Sequence, residues 1–179
     1  LSGCLVSAEL MEQIGGLTAL QTLNLNECGL SNISALGNLT ELTSLDLSDN
    51  SISDLSALRG CQKLSVLLVA SNALVDLNAL SGMTTLTELD ISGNRVTSLE
   101  PLAACTGMLT LRVNSNGLSA IGVLQNMPEL QIFQASNNSI SDVSPLNSCT
   151  QLVRLNLKNN QVTTADFLSL MPLLTHVDI

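Results

Sequence analysis

The sequence predicts a solenoid of stacked repeats, because one pattern recurs every 22 residues along nearly the whole chain. The stretch Leu42–Asn50, LTSLDLSDN, fits L-x-x-L-x-L-x-x-N, and six more stretches fit it in phase without a gap. A second observation is that 45% of the residues are hydrophobic but only 1% are aromatic. Stacked short units with equivalent slots can bury Leu, Ile, Val and Met instead of aromatic side chains. We therefore expect one repeat domain over all 179 residues.

The first half of each unit is predicted to be a β-strand. In Leu45-Asp46-Leu47 apolar and polar residues alternate, which in a strand turns successive side chains to opposite faces. The Asn that follows can both donate to and accept from the backbone, so stacked units would form an asparagine ladder. Six of its seven positions hold Asn, and the first holds Cys28. We expect the ladder residues Asn94 and Asn116 to be buried.

The second half of each unit returns the chain to the next strand. Its apolar residues recur at every third position, as in Ile52, Leu55 and Leu58. A period of three fits a 3₁₀ turn or an extended segment better than an α-helix. All four prolines fall in these halves, where a backbone N–H need not pair with a neighbouring strand.

The beginning of the chain departs from the repeat. Projecting the pattern backwards puts Gly3 and Val6 where Leu and Asn are expected, so the strand there should be weak. Ser7 is predicted to cap a short helix that stops at Gly15-Gly16. We divide the domain into residues 1–16, a degenerate first unit or cap, and residues 17–179, the regular repeats with a truncated last one. Because the chain starts without Met and stops inside a repeat, we expect it to be a fragment of a longer protein.

Charge and hydropathy exclude several kinds of partner. The net charge is −9, with only six Lys and Arg residues. Binding to nucleic acid needs cations that displace the counterions of phosphate, and anionic lipid attracts basic segments. No apolar run approaches the ~18 residues of a membrane span. The prediction is a protein partner, with no nucleic acid, no membrane insertion and no small-molecule substrate.

The cysteines are predicted to be free thiols. Cys61, Cys105 and Cys149 occupy the same slot in every second unit, so two strand spacings, roughly 10 Å, separate neighbours. A disulfide needs Cα atoms within about 7 Å. Neither Cys4 nor Cys28 has an evident mate, and no zinc spacing is present. Free thiols favour a cytoplasmic location, with a secreted or cell-surface location as the alternative.

No catalytic or metal-binding pattern emerges from the sequence. The single histidine has no cysteine or serine partner in register, and no phosphate-binding glycine loop occurs. Asp54, Asp76 and Asp142 share one slot of the return half, which raises the question of a metal site. The intervening slots hold Ser98 and Ala120, so a solvated edge is the better interpretation. We predict no enzyme activity, no metal and no cofactor.

A 22-residue period with L-x-x-L-x-L-x-x-N is the signature of leucine-rich repeat proteins. The chain resembles their short class, shared by bacterial internalins and the leucine-rich regulatory subunit of protein phosphatase 1. The stretches SDNSISDLSAL and SNNSISDVSPL are similar to internalin repeats. The resemblance implies an α/β solenoid, a right-handed horseshoe with a parallel sheet on the concave face and short 3₁₀ or irregular turns on the convex face. It also implies binding rather than catalysis.

Two features of the expected concave face suggest a binding site. Val66, Leu68 and Ala70 form an apolar strip where the pattern asks for polar residues, and such strips tend to mark interaction sites. Acidic residues lie toward the start of the face and basic residues toward its end, an order that would orient a charged partner. The predicted partner-binding residues are Val66, Leu68, Glu88, Asp90, Arg112, Ile132, Arg154 and Lys158.

The predicted function is a non-catalytic protein–protein interaction module that uses its concave face. One alternative is a structural spacer or scaffold segment of a larger cytoskeletal or signalling protein. Another is an extracellular, internalin-like adhesion module. Regulation of a phosphatase rests on family analogy alone.

Overall fold

The computed structural model describes residues 1–179 and contains one open parallel β-sheet of eight strands in chain order. Residues exactly one repeat apart pair across neighbouring strands, for example Leu45 with Leu67. This architecture confirms the predicted solenoid with its parallel sheet. The strands are β1 (Thr22–Asn24), β2 (Ser44–Asp46), β3 (Val66–Leu68), β4 (Glu88–Asp90), β5 (Thr110–Arg112), β6 (Ile132–Gln134), β7 (Arg154–Asn156) and β8 (His176–Asp178).

The return halves contain seven 3₁₀ turns, so the structure selects the first of the two alternatives, a 3₁₀ turn or an extended segment, that the period of three allows. Each turn directs apolar side chains inward at every third position, as Leu55 and Leu58 do in the third unit. The turns are Ser34–Asn38, Ser56–Gly60, Asn78–Leu80, Glu100–Leu102, Gly122–Asn126, Ser144–Ser148 and Asp166–Leu170.

The core is one continuous cluster of 51 buried hydrophobic residues between the sheet and the turns. The middle residue of each strand from Leu23 to Leu155 is buried, and its neighbours face the concave side. In β8 the equivalent Val177 is 49% exposed, because no further strand covers this side of the core. The expectation that the protein continues past Ile179 stays a prediction.

The single α-helix, α1 (Ala8–Gly15), closes the N-terminal side of the stack. As predicted, Ser7 caps it, its Oγ accepting a hydrogen bond from the Leu10 N–H at 3.2 Å. Gly15 is itself helical and approaches the first 3₁₀ turn so closely that a Cβ would overlap the Ala35 carbonyl. No helix of the chain is both long enough and apolar enough to cross a membrane.

After each of the strands β1 to β7, the residue immediately before the ladder position has a left-handed backbone conformation. Its φ lies between 52° and 69°, a region that favours glycine. Only one of the seven positions, Gly93, holds glycine. The others are Glu27, Asp49, Ser71, Ser115, Asn137 and Asn159.

Candidate functional site

The asparagine ladder holds the strand exits in equivalent positions and so shapes the concave face. Asn94 Nδ2 donates to the carbonyls of Ile91 at 2.9 Å and Val69 at 3.0 Å, and its Oδ1 accepts from the Leu74 N–H at 2.9 Å. One side chain thus joins its own turn to the preceding unit. The burial prediction holds for Asn94, which is 8% exposed, but is wrong for Asn116, which is half-buried. Both make the same set of bonds, so the ladder does not require full burial.

The concave face consists of rows of outward side chains that lie side by side across the sheet. Register pairing places the eight predicted site residues on this face or at its edge. Six of them are half-buried, whereas Arg154 and Lys158 are exposed. Ile132 lies three strands from Val66, a separation of about 14 Å, so the structure does not join these two aliphatic residues into one patch.

The apolar strip crosses the face along β3. Val66, Leu68 and the following Ala70 are aliphatic and half-buried. The equivalent residues of the two neighbouring units are half-buried as well, but they are polar or charged. In the register, Leu68 lies between Asp46 on one side and Asp90 on the other. An aliphatic side chain with a carboxylate on either side is therefore the central feature of the first half of the face.

An ion pair divides the face in the middle. Arg112 Nη1 lies 2.6 Å from Glu88 Oε1, and the two side chains are 29% and 35% exposed. The prediction placed both residues on the binding surface as separate charges. Their pairing leaves fewer charges free for a partner than the sequence indicates.

Two of the acidic residues also hold the backbone. Asp46 Oδ1 accepts from the Ser48 N–H at 3.0 Å, and Asp90 Oδ1 accepts from the Ser92 N–H at 2.9 Å. Each carboxylate thus holds the backbone at the strand exit with one oxygen, while the other oxygen of Asp46 accepts from the Asn24 amide at 3.1 Å and that of Asp90 has no hydrogen-bond partner. Sequence reasoning missed this role, although an Asp two residues before a Ser is a signal for such a turn.

The far end of the face carries the unpaired basic residues. Arg154 and Lys158 are exposed and make no ion pair with a carboxylate. His176 lies beside Arg154 in the register, with its Nδ1 2.9 Å from Thr175 Oγ1. An open groove between β7 and β8 is lined by Arg154 and His176 and by polar neighbours, among them Gln134, Asn156 and Asp178, whereas Lys158 lies outside it.

The predicted free thiols are confirmed: all five cysteines are unpaired, and all except Cys4 are buried. Burial raises the pKa of Cys105 and of Cys149 to about 11 and also raises that of Cys61. Cys105 Sγ donates to the Met83 carbonyl at 3.2 Å. These thiols are packing residues of the core and are not accessible nucleophiles.

The recurring Asp residues of the return half begin the 3₁₀ turns. Asp54 Oδ1 accepts from the Ser56 N–H at 2.7 Å, and its Oδ2 accepts from the Ser56 hydroxyl at 2.8 Å. The backbone bond and then the hydroxyl bond lower the pKa of Asp54. Asp76 and Asp142 accept from the second following N–H in the same way. All three are exposed, which agrees with the solvated edge that the sequence indicated, but their hydrogen bonds to the turn are a structural cause of the recurrence that the sequence interpretation did not include.

Comparison with protein families identifies the class. One leucine-rich repeat profile matches residues 18–60 and 128–170, and another matches residues 40–96. The chain is a leucine-rich repeat protein. A search among curated protein sequences finds no match.

Solved structures show which arrays are similar. An internalin, InlF from Listeria monocytogenes, is 25% identical with a TM-score of 0.82, over 98% of this chain and 58% of its own. Internalin C2 from the same species is 27% identical with a TM-score of 0.74, over 96% of this chain and 83% of its own. TLR13, solved in complex with ssRNA13, is 26% identical with a TM-score of 0.76, over 93% of this chain and 25% of its own. The chain thus spans little more than half of InlF, and the resemblance to internalins is confirmed.

Proposed function

We propose that the chain is a non-catalytic module that binds a partner protein on its concave face. The observation that carries the proposal is a contrast between the buried scaffold, which is regular, and the concave surface, which is variable. The core, the turns and the ladder repeat almost unchanged from unit to unit, whereas the outward residues of neighbouring strands differ in charge, size and polarity. Leucine-rich repeat arrays offer extended concave surfaces of this kind for binding.

The size of the face suggests the form of the partner. Seven strand spacings of ~4.8 Å make the sheet about 34 Å long, and the outward rows span about 13 Å along each strand. The resulting surface of roughly 450 Å² is about half of one side of a standard protein interface. An extended segment fits this area, and a globular partner would also have to contact the rims.

The charge of the face supports a protein partner over a nucleic acid. TLR13 is a leucine-rich repeat protein solved with RNA. In the present chain Arg112 is neutralised by Glu88, so Arg154 and Lys158 are the cations left on the face. Two cations in a chain of net charge −9 offer little for a phosphate backbone.

Selection from a displayed library of random peptides tests the proposal. Binders obtained with the unmodified chain are re-tested on the double variant Leu68→Gln/Arg154→Gln. The control is Val75→Gln, at a 55% exposed position of a return half. We expect the concave variant to weaken binding at least about tenfold while the control does not, since the central contacts of an interface dominate its affinity. Binders that are indifferent to the concave variant contradict the proposal and favour the spacer alternative.

We also propose a cytoplasmic location. Support comes from five free cysteines, four of them buried in an array that needs no cross-link. The internalin-like adhesion module is the second candidate, favoured by the similarity to InlF and internalin C2. Counting free thiols in protein taken from its native source separates the two, because a disulfide there contradicts the cytoplasmic proposal.

A further inference from the structure

We propose that the part of the concave face formed by β2, β3 and β4 binds a basic amphipathic segment of the partner. An aliphatic side chain of that segment lies on the strip of Val66, Leu68 and Ala70, with a Lys or Arg on either side against Asp46 and Asp90. This inference rests on the proposed concave-face function and names the chemical class of the partner.

The register sets the spacing of this site. Asp46, Leu68 and Asp90 are direct neighbours across three strands, so the two carboxylates are about 10 Å apart with the leucine between them. The partner needs an aliphatic residue with a cation on either side, and the two cations must be about as far apart as the two carboxylates, roughly 10 Å. One turn of an α-helix rises about 5.4 Å, close to the ~4.8 Å between strands, so a helix laid across the strands with Lys at i−4 and i+4 of a Leu satisfies it.

Neither carboxylate forms an ion pair within the chain. Asp90 Oδ1 accepts from the Ser92 N–H, which is the single hydrogen bond of this carboxylate, so its Oδ2 has no partner. Asp46 Oδ2 accepts only from the neutral amide of Asn24, at 3.1 Å. The nearest cation on the face, Arg112, is occupied by Glu88. The first half of the face therefore presents two uncompensated negative charges.

The strip supplies the apolar part of the recognition. In β2 the equivalent positions hold Ser44 and Asp46, and in β4 they hold Glu88 and Asp90. Only β3 places aliphatic side chains in both outward positions of the strand. A basic segment without an apolar residue would leave this strip in water, and an apolar segment without cations would desolvate the carboxylates unpaired.

Fluorescence anisotropy with synthetic helical peptides tests the inference. The probe has a Leu with Lys at i−4 and i+4 in an Ala and Gln background. One comparison peptide replaces both Lys with Glu, and another replaces the Leu with Ser. We expect each replacement to weaken binding by at least about tenfold, since both kinds of contact are used.

Matched protein variants locate the contact. Asp90→Asn removes the charge but keeps an oxygen for the Ser92 N–H, so the turn is retained. Leu68→Asn removes the aliphatic contact while keeping the branching of the side chain at Cγ. Both should weaken the probe about three- to tenfold, and Asp178→Asn, which removes a carboxylate at the far end of the face, should leave its affinity unchanged.

Three outcomes overturn the inference: no binding of the probe, equal binding of the Glu peptide, or an equal effect of Asp90→Asn and Asp178→Asn. The last would mean attraction by overall charge alone. Failure of the inference is distinguishable from failure of the proposed function. Library binders that require the concave face but lack basic amphipathic character contradict the inference and leave the proposed function supported.

Discussion

Arg112 donates from Nη1 to Glu88 Oε1 at 2.6 Å, although the residue opposite it in the sheet register is Asp90. The contact runs diagonally from β5 to β4. One oxygen of Asp90 is turned to the Ser92 N–H, whereas the longer Glu88 side chain reaches the guanidinium. The pair lies between the part of the concave face that carries the free carboxylates of Asp46 and Asp90 and the part that carries the free cations Arg154 and Lys158.

The Glu88–Arg112 pair should stabilise the fold modestly. A double-mutant cycle with Glu88→Gln and Arg112→Gln is expected to give a coupling free energy of about 0.5–1 kcal/mol from urea unfolding, because both groups are partly shielded from water. The control is the Lys63–Glu41 pair, whose side chains are 58% and 43% exposed. Its coupling should be near zero. A larger coupling in the exposed pair would contradict the interpretation.

The ladder should be sensitive to a single truncation. Asn94→Ala leaves the buried Leu74 N–H without a partner. It also removes one of the two side-chain donors of the Val69 and Ile91 carbonyls, which keep only the amides of Asn72 and Asn116. The substitution should therefore lower the free energy of unfolding by about 1–3 kcal/mol. Asn78→Ala, at an exposed position of a 3₁₀ turn, serves as control and should change it by less than about 0.5 kcal/mol. Chemical denaturation compares them. If Asn94→Ala lowers the free energy of unfolding by only a few tenths of a kcal/mol, the ladder does not stabilise the fold as argued.

The residues other than glycine that have a left-handed backbone before a ladder position should be under measurable backbone strain. Ser71→Gly relieves it and should raise the free energy of unfolding, whereas Gly93→Ala introduces it and should lower the free energy by about 1 kcal/mol. The matched control is Gly107→Ala, where φ is not left-handed and a Cβ meets no neighbour. Equal effects of the two Gly→Ala changes would mean that loss of glycine entropy, and not φ, decides the result.

The buried thiols predict a loss of stability at high pH. The pKa of Cys105 and of Cys149 rises from an ordinary value of 9.0 to about 11 in the folded chain. A raised pKa means that the thiol form is favoured by folding, so its contribution is complete below pH 9 and disappears as the pH rises towards 11. Unfolding curves over this range should show the decline, and a Cys105→Ala/Cys149→Ala variant should show less of it.

Thiol labelling at neutral pH provides an independent check on the same residues. In the native state a thiol reagent should modify Cys4 quickly and the four buried cysteines only on unfolding. Rapid modification of Cys61, Cys105 and Cys149 in folded protein would show that the core opens on the time scale of labelling.

The repeat by itself determined the strands, the ladder and the free thiols, and it limited the return halves to 3₁₀ turns or extended segments. Each depends on a local pattern that recurs in phase, such as the alternation in Leu45-Asp46-Leu47 or the Asn at the end of a strand. Because equivalent residues of stacked units occupy equivalent positions, the period also placed the outward residues in rows. The apolar strip of β3 could be recognised in this way from the sequence alone.

Only the tertiary structure decided how those outward side chains are used. It paired Arg112 with Glu88, turned one oxygen of Asp90 to the backbone, and left Arg154 without a carboxylate partner. It also brought Gly15 of α1 against Ala35, a contact outside the repeat. The physical reason is that periodicity fixes where backbones lie, whereas the pairing of long charged side chains depends on their rotamers and on competing partners in neighbouring strands.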